Sequence, residues 1–397
     1  MKDRKIYCMN QISPVGTATF RKGYTLTENV QEAAGILVRS ADMHDFAFPE
    51  GLRAIARAGA GVNNIPLDRC TEAGIVVFNT PGANANSVKE LVLCALLASS
   101  RHVIEGAEWV RQISGSETLS KDVEKGKKAF VGNEIMGKRL GVIGLGAIGA
   151  EVANAAVALG MEVYGYDPYL SVNAAWMLSK EVRHASSLQE LLSTCDYVTI
   201  HVPLTEKNPG MIGAKEIAQL KEGAVFLNFS RDKLVDEAAM EQALEEGRVR
   251  AYYSDFANDR SVKMKNAVIF PHLGASTEEA EDNCAVMAAR ELQDYLDNGN
   301  IAHSVNYPSL DMGVCQAEAR VAILHRNIPN MISQIASFFG NSGLNIENMI
   351  SNTRGDYEYT LLDISSPMPD DTVERLMAVN GVLKVRRISE KGHHDLV

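Results

Sequence analysis

The sequence predicts an α/β protein, with two doubly wound parallel sheets followed by a smaller α+β domain. Three observations predict it. Short apolar runs alternate with helix-like segments along most of the chain. A cluster of glycines closes a buried strand at Gly144. Beyond residue 318 the order changes to strand, helix, strand, strand, helix, strand. A chain of 397 residues is also too long for one ordinary core.

In the first region the runs Gly35–Val38, Leu52–Ala56 and Ile75–Phe78 read as strands of a small parallel unit, and Ser87–Ser100 as a long apolar helix. The second region opens with a buried strand before Gly144 and the helix Glu151–Leu159. Strands follow at Glu162–Tyr166, Tyr197–His201, Ala224–Asn228, Arg250–Ser254 and Val268–Phe270, with helices at Leu188–Leu192 and Ala238–Glu246. The helix Glu278–Leu296 leads back to the first region. The third region reads as Arg320–His325, Pro329–Phe339, Asn345–Ser351, Glu358–Ile364, Asp371–Val379 and Val382–Ile388, a ferredoxin-like order. Three domains are therefore expected: a discontinuous one over residues 1–93 and 276–307, a second over 94–275 and a third over 318–397.

Composition narrows the class. Hydrophobic residues make up 46% and charged residues 22%, as in soluble globular proteins. No apolar run reaches the roughly 18 residues that span a bilayer, and the N-terminus lacks the apolar stretch of a signal peptide. The six cysteines have no metal-ligand or redox spacing, so no metal is expected and the thiols read as reduced, in a cytoplasmic protein. Cys94, Cys195 and Cys284 lie among apolar neighbours and are expected in the core. The net charge of −11 argues against nucleic acid or an anionic membrane as partner.

Gly144, Gly146 and Gly149 form G-x-G-x-x-G directly between a strand and a helix. The first glycine permits the turn, the second lets backbone approach a pyrophosphate, and the third lets helix and strand pack. With Ala147 and Ile148 they open the helix whose N-terminus attracts an anion. The next strand ends at Asp167, where an acid bonds the adenine ribose and repels a 2′-phosphate, so the expected cofactor is NAD on a Rossmann domain. Val202, Pro203, Phe229, Ser230, Asp255 and Gly274 stand at or near other strand ends of the same sheet and are taken as further cofactor contacts.

The same ends carry a base, a cation and carboxylates. Oxidising a secondary alcohol by hydride transfer needs a base for the hydroxyl proton, a cation for the substrate carboxylate, and an acid beside the base to stabilise its protonated form. His272 suits the first role, its pKa lying near neutrality. Arg231 suits the second, because its fork matches a carboxylate. Asp259 is the expected acid.

The runs LGVIGLGAIG at Leu140–Gly149, LNFSR at Leu227–Arg231 with Val235 and Asp236, and PHLGAS at Pro271–Ser276 resemble the D-2-hydroxyacid dehydrogenase family over about the first 305 residues. The resemblance implies a substrate-binding domain over residues 1–93 and 276–307, an NAD-binding domain over 94–275, and Arg231, Asp259 and His272 as catalytic residues. It also implies that the substrate carboxylate meets the backbone at Gly61 and Val62. The family usually has Glu where this chain has Asp259, and glycine where it has Asp232.

The third region is similar to an ACT domain, through His325-Arg326-Asn327-Ile328-Pro329 and Leu344-Asn345-Ile346. That combination resembles the members of the family that oxidise D-3-phosphoglycerate at the entry to serine biosynthesis. It implies a phosphate held by Arg39 and Ser40 with help from Asn84, and L-serine as an effector bound by His325, Asn327 and Asn345 between two such domains. It also implies a homodimer or homotetramer. Asn330 stands where many ACT domains have glycine. The competing expectations are a glyoxylate or hydroxypyruvate reductase on the same scaffold, and a non-catalytic NAD-responsive regulator.

Overall fold

The computed structural model describes residues 4–369 and 371–388. The chain divides into two compact units, Met1–Asn84 with Glu281–Val397, and Ala85–Ala280.

In the first unit, β1 (Arg4–Cys8), β2 (Tyr24–Thr27), β3 (Gly35–Val38), β4 (Ala54–Arg57) and β5 (Val76–Phe78) form a parallel sheet of order β2-β1-β3-β4-β5. Alternate side chains serve two cores. Leu37, Ala54, Ala56, Val76 and Phe78 enter one cluster, and Ile36, Val38, Ile55 and Val77 the other. Burial on both faces makes these strands read as unbroken apolar runs. The strand order reverses between β1 and β3, so a crevice for ligands is expected beyond their carboxyl ends.

The second unit holds β6 (Arg139–Ile143), β7 (Glu162–Tyr166), β8 (Arg183–His184), β9 (Tyr197–Ile200), β10 (Ala224–Asn228), β11 (Val249–Ser254) and β12 (Ala267–Ile269). All are parallel, in the order β12-β11-β10-β9-β6-β7-β8. The order reverses between β6 and β9, which puts the glycine turn after β6 at the switch point.

The third region is the antiparallel sheet β14-β15-β13-β16, built from β13 (Ala319–Arg326), β14 (Ile346–Arg354), β15 (Tyr357–Ile364) and β16 (Val382–Arg387). Val321, Ile323, Leu362 and Ile364 face the helices Met331–Asn341 and Thr372–Met377. The other face, with Ala322, Leu324, Tyr359 and Leu361, joins Phe78, Tyr295, Leu296 and Tyr307 of the first region in one core. This shared core is why the third region, expected as a domain by itself, falls within the first unit.

The unit boundaries also differ from the sequence expectation. The long helix begins at Ala85 rather than Ser87 and opens the second unit, and the return boundary lies inside the helix Glu278–Asn298. The short strands β1, β2 and β8 escape a reading of apolar runs. The helices Val103–Gln112 and Leu119–Gly126 also escape it, and neither buries a residue. Cys94, expected in the core, is exposed. On the helix Ala85–Arg101 the buried positions include Val92, Ala95, Leu96 and Ala98, and Cys94 falls on the opposite face. Among the described residues no helix is long and apolar enough to cross a membrane.

Candidate active site

The glycine turn has the geometry that a dinucleotide requires. Gly144 has φ 86°, and a Cβ there would meet the His201 carbonyl oxygen at 2.7 Å. A Cβ at Gly149 would lie 1.9 Å from the Gly144 carbonyl oxygen, so the helix Ala147–Ala158 packs on the turn only without a side chain. A Cβ at Gly146, by contrast, would meet nothing within 4 Å. That open face adjoins a helix start with no side-chain cap, whose N–H groups suit a pyrophosphate. Asp167 follows β7, with its carboxylate oxygens accepting the Leu145 N–H and the Tyr169 N–H, each at 2.9 Å. The acid is thereby fixed against the glycine turn. These residues fit NAD: an open cradle, free helix N–H groups and an oriented carboxylate.

His201, which sequence reasoning passed over, lies beneath the turn. Burial pushes its pKa down to about 3, so it is a neutral ring, and Nε2 lies 2.9 Å from the Thr199 hydroxyl. Val202 accepts a hydrogen bond from the Ser230 hydroxyl at its carbonyl, which ties the ends of β9 and β10 together. Pro203 is exposed and Phe229 is buried against Phe270.

Arg231, Asp255 and His272 come from three adjacent strands. In register Asn228 pairs with Ser254, and Ser254 with Ile269, so the segments after β10, β11 and β12 leave the sheet side by side. The middle segment contributes Asp255, which is 1% exposed. The His272 N–H donates to the Asp255 carbonyl (2.9 Å), and the Gly274 N–H donates to Asp255 Oδ2 (2.9 Å). His272 is exposed, holds the left-handed conformation at φ 53°, and packs edge-on to Phe256 with 5.0 Å between ring centroids. The Ser87 hydroxyl donates to the Gly274 carbonyl at 2.9 Å and braces the turn from below.

Asp259 is not brought to His272. It lies in an exposed loop, and no hydrogen bond or ion pair joins it to any described residue. Its neighbours explain the placement. Asn258 donates to Glu237 at 2.7 Å and Arg260 pairs with Glu241 at 2.7 Å, so the loop is tied to the helix Glu237–Glu245.

In the first unit, Arg39 and Ser40 follow β3 at the switch point. Asn10, two residues past β1, accepts the Arg39 N–H at 2.9 Å and donates to the Ser40 hydroxyl at 3.3 Å. The Arg39 guanidinium pairs with Glu281 at 2.6 Å. Gly61 and Val62 lie in the partly exposed turn after β4. That turn is braced by Arg57 donating to Asn64 (3.1 Å) and by Asn79 donating to the Ala60 carbonyl (2.6 Å). Asn84 is 9% exposed, and its Oδ1 is buried with no partner among the described residues. Asn10 and Asn64 were missed in the sequence. A reading that recognised β1 would have marked Asn10 by its place past a strand end.

In the third region His325 is completely buried. Its Nε2 meets the Thr360 hydroxyl at 2.8 Å and its Nδ1 the Arg326 carbonyl at 3.0 Å. Burial holds its pKa below the ordinary histidine value. Asn327 is exposed and donates to the Gly355 carbonyl at 3.2 Å. Asn345, also exposed, precedes Ile346, which pairs with Ile364, which in turn pairs with Ala319. It therefore stands at the opposite end of β13 from His325, about 20 Å along the strand. One chain does not gather these three residues. Asn330 has φ 73°, a left-handed conformation that suits glycine and that asparagine tolerates.

Residues 93–274 match the family model described as D-isomer specific 2-hydroxyacid dehydrogenase, NAD binding domain. The chain is 34% identical over 342 residues to a Methanocaldococcus jannaschii protein named D-3-phosphoglycerate dehydrogenase, covering 83% of this chain and 62% of that protein. It is 31% identical over 340 residues to a Haemophilus influenzae protein of the same name, covering 82% and 78% respectively. Among solved structures it resembles NAD+-bound 3-phosphoglycerate dehydrogenase of Entamoeba histolytica, with TM-score 0.61 and 26% identity over 78% of this chain and all of that one. Several relatives are longer, and the chain spans only 62% of the Methanocaldococcus protein.

Proposed function

Because the chain belongs to the D-isomer specific 2-hydroxyacid dehydrogenase family, we propose that it oxidises D-3-phosphoglycerate to 3-phosphohydroxypyruvate with NAD, the first step of L-serine biosynthesis. NAD, when bound, supplies the hydride acceptor. Gly144, Gly146, Ala147, Ile148 and Gly149 would hold its pyrophosphate and Asp167 its ribose, with Val202, Pro203, Phe229, Ser230, Asp255 and Gly274 as further contacts.

The chain's own groups supply the rest. His272 takes the hydroxyl proton, which raises electron density on the oxygen as the carbonyl forms. Arg231 holds the substrate carboxylate in a two-point fork. The backbone of Gly61 and Val62 contacts the substrate carboxylate, and Asn84 helps with the phosphate. Arg39 and Ser40 take the phosphate. The observation that carries the phosphorylated substrate is the Arg39–Ser40 turn, pinned by Asn10 where the strand order of the first unit reverses.

The test is initial-rate NAD reduction with D-3-phosphoglycerate, D-glycerate and glycolate, with and without L-serine. A kcat/KM at least tenfold higher for the phosphorylated acid is expected. Activity on the unphosphorylated acids alone would move the reading to a glyoxylate or hydroxypyruvate reductase, and no turnover would favour an NAD-responsive regulator. Inhibition by L-serine would support an effector site to which one copy brings His325 and Asn327 and a second copy Asn345.

A further inference from the structure

We propose that Asp255, and not Asp259, is the carboxylate that positions His272 and stabilises its protonated ring. The inference rests on the reading of His272 as the base. Asp255 lies on the middle of three neighbouring strand ends, with Arg231 past one flanking strand and His272 past the other. It holds the His272–Gly274 turn at two points, by its carbonyl at the His272 N–H and by its carboxylate at the Gly274 N–H.

These two bonds fix a turn whose histidine is in the left-handed region, a conformation that persists only where its surroundings impose it. Oδ2 is occupied by Gly274, whereas Oδ1 is buried with no partner among the described residues. A carboxylate so placed cannot be neutralised by water and exerts its field through protein. The charged groups that act on it are His272 and Arg231. Burial raises its pKa above the ordinary carboxylate value, and the Gly274 N–H, His272 and Arg231 oppose that shift, so the groups that favour its charged form are those of the site itself. Asp259, drawn off with Asn258 and Arg260 toward Glu237 and Glu241, has none of these connections.

Asp255→Asn separates charge from shape, because the amide oxygen still accepts the Gly274 N–H. The test is an NMR titration of protein labelled at histidine Cε1, with the His272 signal assigned by its loss in His272→Asn. It needs no turnover. In Asp255→Asn the His272 pKa should fall by about one unit, while Asp259→Asn should leave it in place. Asp255→Ser, which removes the same charge, serves if the asparagine variant does not fold. The acidic limb of kcat/KM for D-3-phosphoglycerate should move to lower pH by the same amount.

A drop in Asp259→Asn without one in Asp255→Asn would overturn the assignment. So would weaker NAD binding in Asp255→Asn with the His272 pKa unmoved, which is what a role in cofactor binding alone predicts. Absence of turnover in the unmutated protein would instead count against the dehydrogenase reading, and the titration keeps the two failures apart.

Discussion

Arg39 shows how a single residue can be poised without being committed. Its ion pair with Glu281 joins side chains that are 39% and 43% exposed, and exposed pairs of this kind contribute about 0–1 kcal/mol. A phosphate dianion can therefore displace Glu281 at little cost. Arg39→Ala should lower kcat/KM for D-3-phosphoglycerate roughly tenfold or more, and leave D-glycerate within about twofold. Equal losses on both would remove Arg39 from the phosphate site. Glu291 makes a second argument at this scale. Its Oε1 meets His303 Nδ1, its Oε2 is buried without a partner among the described residues, and burial pushes its pKa from 4.5 to about 8. Between those values the folded chain keeps a proton that the unfolded chain releases. Stability should thus fall as pH rises from 4.5 to about 8, then level off. Glu291→Gln should flatten that slope in urea denaturation; an unchanged slope would show the carboxyl already ionised in the fold. Sequence alone placed Arg231 and His272 at strand ends because each follows an apolar run. It took Asp259 as the acid and Asp255 as a cofactor contact, although both lie in the same short segment past β11. What ties the Asp259 loop away from His272 is side chains on the helix Glu237–Glu245, remote in sequence.

At the scale of elements, the nucleotide turn was legible because each of its parts is local: strand, glycines, helix, strand, acid. The structure adds what the spacing could not, namely which glycine is tolerant. Gly149 meets the Gly144 carbonyl and Gly144 meets the His201 carbonyl, while Gly146 faces open space. Gly149→Ala forces a Cβ into backbone and should destabilise the second unit by about 1–3 kcal/mol, with NAD affinity reduced at least tenfold. Thermal denaturation and cofactor titration read the two effects. A variant with unchanged NAD affinity would show that the helix start can shift without disturbing the cradle. The elements that escaped the sequence did so for different reasons. The helices Val103–Gln112 and Leu119–Gly126 bury nothing within the chain, and β8 has only two residues. β8 is too short to show a period, and the helix Val103–Gln112 keeps the apolar side chains of its period, Val103, Ile104 and Val110, exposed rather than in a core.

For the molecule as a whole, the informative departure is that the third region is built into the first unit. The helix Glu278–Asn298 has no basic residue in its last turn, so its terminal carbonyls lack a cation of their own. The third region supplies two. Arg320, from β13, donates to the Asn298 carbonyl (3.1 Å) while forking onto Asp363 (2.6 and 3.0 Å). Arg386, from β16, reaches the Tyr295 and Leu296 carbonyls and lies over the Tyr295 ring, 4.2 Å from its centroid. Sequence patterning gave the order of these strands correctly but said nothing of what their second face covers, because a face buried against another region looks the same as one buried in its own core. If the two regions form one cooperative body, breaking the buried pair should loosen both. Arg320→Met leaves Asp363 buried and unpaired and should cost about 3–5 kcal/mol, whereas Arg320→Met with Asp363→Leu should recover most of that loss. Hydrogen exchange in the single variant should show protection falling together in β3–β5 and in β13–β15. Loss confined to β13–β15, with β3–β5 still protected, would make the third region an appendage that shares a surface with the first but not its stability.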